Sequence, residues 1–317
     1  MQTSYHPLKQ IHPKFNKKRI VNLQGKLYIP KYTKEMLQGL IRPHRPSFKG
    51  DVRAAKYCLR ITQKDIKNWN KFIARKDSDV ASPLTYYNSA GAFGLFDILK
   101  QVNVNFSTIL HLRGDVEILK PNEPISEGVE FTLASHLAEI IVRKKQCILV
   151  VATDVFNQIG ELVRHHKDFW FVKNCSEKHL SQLKSQSSYD PRNFSGISRR
   201  LSKLSMSDSG SSGHATIAIS KAAGHEFAKV SGDFNIIHTT NWGARLTGQK
   251  RAFLQGYGMM NHCIHKLTQI KKSPLNQISI TFCRPVLVDQ DVHLYTSGNK
   301  FEVCDENGSL LTAGTFS

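Results

Sequence analysis

A chain of 317 residues, 40% of them hydrophobic, is long enough for one large or two ordinary packed domains. Its mean hydropathy of −0.33 is that of a soluble protein, and no apolar run approaches the roughly 20 residues of a membrane helix. The net charge of +19 suits attraction to nucleic acid, an anionic membrane or an acidic ligand.

Residues 1–50 hold 11 Lys and Arg against the single acid Glu35, with several prolines, and read as an extended basic arm. The N-terminus lacks the apolar segment of a signal peptide, so the expected compartment is the cytoplasm. Six cysteines without a Cys-x-x-Cys spacing fit reduced, buried thiols. No helix-turn-helix, zinc-finger or aromatic RNA-binding signature accompanies the arm, so sequence-specific nucleic-acid recognition is not expected.

Residues 51–174 form the first folded block. A strand is expected over Ala55–Thr62, a short helix over Asp65–Ile73 and a buried helix over Asn88–Lys100, where Ala92, Phe93, Phe96 and Leu99 recur at helical spacing. Strands follow at Ile109–Leu119, Val129–Ile141, Gln146–Phe156 and Glu161–Val172, an antiparallel meander. His165 and His166 are placed at a strand edge. Residues 175–213, rich in Ser and Gly and poor in apolar side chains, read as a partly flexible linker.

Residues 214–317 repeat the plan. A strand over His214–Ser220 precedes short helices over Ala222–Lys229 and Trp242–Thr247. A longer helix over Gly256–Ile270 then carries Met259, Met260, Cys263, Ile264 and Leu267 on one face. The remaining strands are Gln277–Phe282, Val292–Gly298, Phe301–Asp305 and Leu310–Phe316, with Asn307-Gly308 as a two-residue hairpin turn between the last two. Periodicity alone supports an α+β fold of two similar halves.

The chemistry concentrates in Val230–His238, V-S-G-D-F-N-I-I-H. A carboxylate and an imidazole five residues apart, on a loop opened by glycine, suit a shared water from which a proton is taken and returned. The stretch Phe227–His238 resembles the signature of the MaoC-like, R-specific enoyl-CoA hydratases, an aromatic residue followed by Gly-Asp-x-Asn-Pro-aliphatic-His. The resemblance continues through Gln255-Gly256, where that family has His-Gly at the start of its central helix, and through Phe282-Cys-Arg-Pro285, like its Phe-x-x-Pro strand. Two departures stand out, Ile236 for Pro and Gln255 for His.

The resemblance implies a double hot-dog fold, two long helices each wrapped by an antiparallel sheet. The catalytic motif lies only in the C-terminal half, and the N-terminal half is a wall for the acyl chain. It implies that Asp233 and His238 activate water, that Gly232 and Asn235 support their loop, and that the Gly256 N–H faces the thioester oxygen at a helix N-terminus. The implied reaction is hydration of a trans-2-enoyl thioester to an (R)-3-hydroxyacyl thioester, with no metal and no organic cofactor. Coenzyme A or an acyl carrier protein would carry the substrate, and either is acidic enough to suit the basic surface. A homodimer is left open. A hot-dog thioesterase using Asp233, a non-catalytic acyl-carrier-binding module and a nucleic-acid-binding arm on an acyl-binding core are the alternatives. His262, Cys263 and His265 lie within one helical turn but lack further ligands at a diagnostic spacing, so packing is the expected role. Gly256-Tyr-Gly258 is too short for a phosphate loop, and no Gly-x-Ser-x-Gly elbow is present.

Overall fold

A computed structural model describes residues 21–23, 34, 37–46, 55–75, 91–123, 125–143, 146–184, 213–245 and 248–317. Most of the basic arm, the Ser-rich stretch over 185–212 and the first residues of the expected helix at 88 therefore lie outside the described residues.

Two helices form the centres of the two halves. In the first half, α1 (Gln63–Phe72) starts at a capping box: the Thr62 side chain accepts from the Asp65 N–H at 3.3 Å and the Asp65 carboxylate accepts from the Thr62 N–H at 3.0 Å. α2 (Gly91–Gln101) buries Leu95, Phe96, Ile98 and Leu99. At Gly94 a Cβ would lie 2.1 Å from Ser135 Oγ, so glycine lets this helix close onto the sheet. In the second half, after α3 (Glu177–Lys184), α4 (Ala223–Ser231), α5 (Ile236–Thr239) and α6 (Asn241–Arg245), the long α7 (Gly256–Lys271) is buried on all sides. Besides its apolar residues it buries Asn261, His262, His265 and Thr268, as befits a helix wrapped by sheet rather than laid on a surface.

The strands are β1 (Val21–Leu23), β2 (Ala55–Arg60), β3 (Ile109–Ile118), β4 (Glu130–Arg143), β5 (Gln146–Phe156), β6 (Leu162–Val172) and β7 (Gly213–Ile219). They continue with β8 (Phe253–Leu254), β9 (Gln277–Phe282), β10 (Val286–Leu287), β11 (Gln290–Ser297), β12 (Lys300–Asp305) and β13 (Leu310–Phe316). Eleven of them make one sheet in the order β1-β2-β4-β5-β6-β3-β9-β13-β12-β11-β7, while β8 and β10 pair separately. The seam between the halves is the antiparallel pairing of β3 with β9, from Arg113 opposite Thr281 to Glu117 opposite Gln277. α1 also crosses the boundary: Phe72 packs on Phe227 of α4 at 5.0 Å and on His262 of α7 at 4.6 Å between ring centroids.

Three expectations change. The first residues of the Ser-rich stretch are ordered, since Glu177–Lys184 is helical with Leu180 buried; that leucine and the buried Cys175 anchor the segment to the core. The turn at Asn307-Gly308 is not a two-residue hairpin. Asp305 accepts from the Asn307 and Ser309 N–H groups at 3.0 and 2.8 Å, its carbonyl accepts from Gly308, and only Gly308 adopts positive φ. The Asp side chain organises a longer loop and wins over the Asn-Gly preference. His165 and His166 lie on β6, between β5 and β3, so they belong to the sheet interior and not to an edge.

Ile280 is fully buried on β9, opposite Gly114 on one side and Gly314 on the other. Ile280→Ala is expected to lower unfolding free energy by about 2–5 kcal/mol, read as a lower urea midpoint.

Candidate functional site

A chain of local hydrogen bonds shapes the motif loop. α4 ends at Gly232, whose φ of 73° is the left-handed conformation of a helix C-cap and whose N–H bonds to the Ala228 carbonyl. Ser231 Oγ donates to the Phe227 carbonyl at 2.9 Å and accepts from the Asp233 N–H at 3.1 Å. Asp233 Oδ1 accepts from the Asn235 N–H at 3.2 Å, and the Asn235 side chain accepts from the Ile237 N–H at 3.3 Å, capping α5. Each polar residue of the motif thus fixes the next.

His238 sits on α5 with its Nδ1 2.8 Å from the Phe253 carbonyl oxygen. A carbonyl only accepts, so Nδ1 carries the proton and Nε2 carries the lone pair of the neutral ring. Burial lowers the His238 pKa, with the Asp233 charge and the Phe253 carbonyl working against it. The ring is therefore neutral near pH 7, with an aspartate close enough to act on it. The chain approaches closely here: a Cβ on Gly224 would lie 1.9 Å from the His238 carbonyl oxygen.

Gln255 and Gly256 bring the start of α7 to this loop. The buried Gln255 side chain donates through Nε2 to the carbonyls of Gly224 at 3.2 Å and Asp233 at 3.1 Å. Gly256 opens the helix, and its N–H is among the first-turn donors that a helix leaves without an internal acceptor.

A second polar cluster meets α7 from the first half. Asp168 on β6 accepts from Tyr257 Oη at 2.5 Å and lies 2.9 Å from His111 Nε2 and 3.2 Å from His166 Nε2. Burial pushes the Asp168 carboxyl up, but the close approach of His166 and the hydrogen bond from His111 outweigh it, and the net shift is downward. Burial, reinforced by the Asp168 charge, raises the Tyr257 hydroxyl well above its ordinary range.

No protein-family profile matches the chain, and no curated protein does at a significant level. Solved structures do. A MaoC-like dehydratase from Phytophthora capsici superposes with a TM-score of 0.63 at 16% identity, covering 89% of this chain and 97% of that one. The peroxisomal multifunctional enzyme type 2 of Drosophila melanogaster gives 0.60 at 15% identity over 83% of this chain, which spans only 48% of the fly enzyme. A 12:0-ACP thioesterase from Umbellularia californica gives 0.50 at 10% identity, covering 83% of this chain and 96% of that one. The chain folds as a double hot-dog.

In this double hot-dog the two departures from the MaoC-like string have local explanations. Ile236 is the first residue of α5, where proline is favoured because its missing N–H is unneeded and its fixed φ suits a helix; the Asn235 cap starts the helix without it. Gln255 keeps two donors on the loop carbonyls, although its Oε1 is buried without a partner among the described residues.

Asp233, His238, Asn235, Gly232 and Gly256 fall in one region of the second hot dog, through the bonds of Gln255 to Asp233 and of His238 to the residue preceding Leu254. The cluster of His111, Asp168 and Tyr257 was not anticipated. Its signal is the alternation His166-x-Asp168-x-Trp170, which puts three hydrogen-bonding side chains on one face of β6. His262 and His265 are buried in α7, and among the described residues no group of three His, Cys, Asp or Glu could hold a metal ion.

Burial takes the His262 pKa to about 3, with His265 and Lys266 acting in the same direction. The ordinary value is about 6.5. The unfolded chain therefore binds this proton first, so its stabilising contribution is full above about pH 6.5 and is lost as pH falls towards 3. His166 and His238, also lowered by burial, act with the same sign. Urea midpoints are expected to fall from pH 7 to pH 5, and His262→Leu, close in volume and without a titratable group, to flatten the decline.

Proposed function

We propose that the chain is an acyl-thioester hydratase/dehydratase, adding water reversibly across a trans-2-enoyl thioester to give the (R)-3-hydroxyacyl thioester. The observation that carries the reading is the fixed tautomer of His238: a neutral imidazole whose Nδ1–H donates to the Phe253 carbonyl and whose Nε2 is available as a base, next to Asp233.

In the hydration direction, water held by Asp233 and His238 gives a proton to His238 Nε2 while its oxygen bonds to C3. The electron pair of the double bond moves towards the thioester oxygen, where the Gly256 N–H and the N-terminus of α7 stabilise the enolate. The proton returns to C2 from the Asp233/His238 pair, and no atom is left over. Gly232 and Asn235 hold the loop, and Gln255 fixes its distance from the helix. The net charge of +19 suits coenzyme A phosphates or an acidic carrier protein as the substrate's handle.

Loss of enoyl absorbance on adding the protein to crotonyl-CoA and to a longer trans-2-enoyl-CoA tests this. Asp233→Asn and His238→Ala, with thermal midpoints near the wild type, are each expected to lose about 10²- to 10⁴-fold in rate. Undiminished turnover in both variants, or no turnover by the wild type of any enoyl thioester on coenzyme A or a carrier protein, would sink the proposal.

A further inference from the structure

The first hot dog also supplies a group to the start of α7. Helical Cα–Cβ bonds point outward with a tilt towards the N-terminus, so a Cβ placed on Gly256 marks a point beside the first turn of α7, leaning towards the end where its free N–H groups lie. His111 Nδ1 lies 3.1 Å from that point. The side chain of His111 is only 9% exposed, and its ring is boxed by Trp170 at 4.2 Å, Tyr257 at 4.7 Å and Phe282 at 4.8 Å between centroids. Trp170 stacks on it within 14° of parallel, so the ring has little freedom to turn.

The orientation fixes the chemistry. Asp168, which accepts also from Tyr257, holds Nε2 at 2.9 Å, so Nε2 carries a proton and Nδ1 carries the lone pair of the neutral ring. Among the described residues nothing hydrogen-bonds Nδ1. The Asp168 carboxylate, bonded to Nε2, is placed to stabilise the imidazolium formed when Nδ1 takes a proton. A nearly buried base, aimed beside donors suited to an oxyanion, is equipped to deliver water to a carbonyl carbon.

We infer that His111, positioned by Asp168, is the general base for a second activity at this site, hydrolysis of an acyl thioester whose carbonyl oxygen rests at the N-terminus of α7. The inference rests on the reading that the site takes acyl thioesters. Water gives its proton to His111 Nδ1 and its oxygen bonds to the carbonyl carbon, the C=O pair moving onto oxygen opposite the Gly256 N–H. Collapse re-forms C=O and breaks the C–S bond, and the leaving thiolate takes the proton from Nδ1. The products are a carboxylic acid and a free thiol, with no other reactant.

The test measures free thiol released from octanoyl-CoA beside hydration of crotonyl-CoA, with the full chain, its His111→Gln, His111→Ala and His238→Ala variants, and thermal midpoints for each. His111→Gln keeps a donor for Asp168 and removes the base. Thiol release is expected to fall about 10²-fold or more in both His111 variants, chiefly in kcat, and added imidazole to restore part of it in His111→Ala, which a structural role would not allow. The variants should cross: His111 changes depress thiol release more than hydration, and His238→Ala depresses hydration more than thiol release. Hydration without any thiol release by the wild type would overturn this inference and leave the hydratase reading standing. Thiol release surviving at the wild-type rate in His111→Gln would also overturn it. Inertness towards every thioester would remove both.

Discussion

A buried carboxylate must find compensation within the protein, and Asp168 finds it by gathering three elements. His166 is its neighbour on the same strand, His111 comes from β3, and Tyr257 from α7. Taking such a group out of water costs several kcal/mol, and it is tolerated only when its oxygens are met by donors. The contact with Tyr257 ties the first hot dog to the central helix of the second by chemistry, as the pairing of β3 with β9 ties them by backbone.

Three consecutive residues at the start of α7 then serve three purposes. Gln255 reaches back to the motif loop, Gly256 leaves the helix end open, and Tyr257 reaches across to Asp168. The same helix is the core of its half, with Met259, Met260, Ile264 and Leu267 fully buried. Rigid packing below and hydrogen bonds on both sides hold the helix N-terminus in place, which is what a preorganised donor requires.

Much of this was legible in the chain. Long period-2 strands, an apolar helix and the Gly-Asp-x-Asn-x-x-His string are local signals, and each maps onto one element. The local bonds that shape the motif, from Ser231 to Ile237, span only a few residues and are the kind that sequence spacing can anticipate. His111 and Asp168 are 57 positions apart, and Tyr257 is 89 beyond Asp168, so no spacing joins them. Only the register of β3 against β6 and the passage of α7 across the seam make them neighbours. The loop at Asn307-Gly308 erred for the opposite reason, since a strong local preference was displaced by the side chain of Asp305 just outside the dipeptide.

The bond between His238 and Phe253 uses a main-chain oxygen. Every amino acid at position 253 would supply that same atom, so substitution there leaves the acceptor in place and acts only by shifting the short β8 strand. The imidazole's tautomer is thereby insulated from mutational drift at its own partner. Descendants of this chain can vary the aromatic side chain of Phe253, whose ring packs edge-on against His238 at 4.6 Å, and so reshape the surroundings of the base without reassigning its proton.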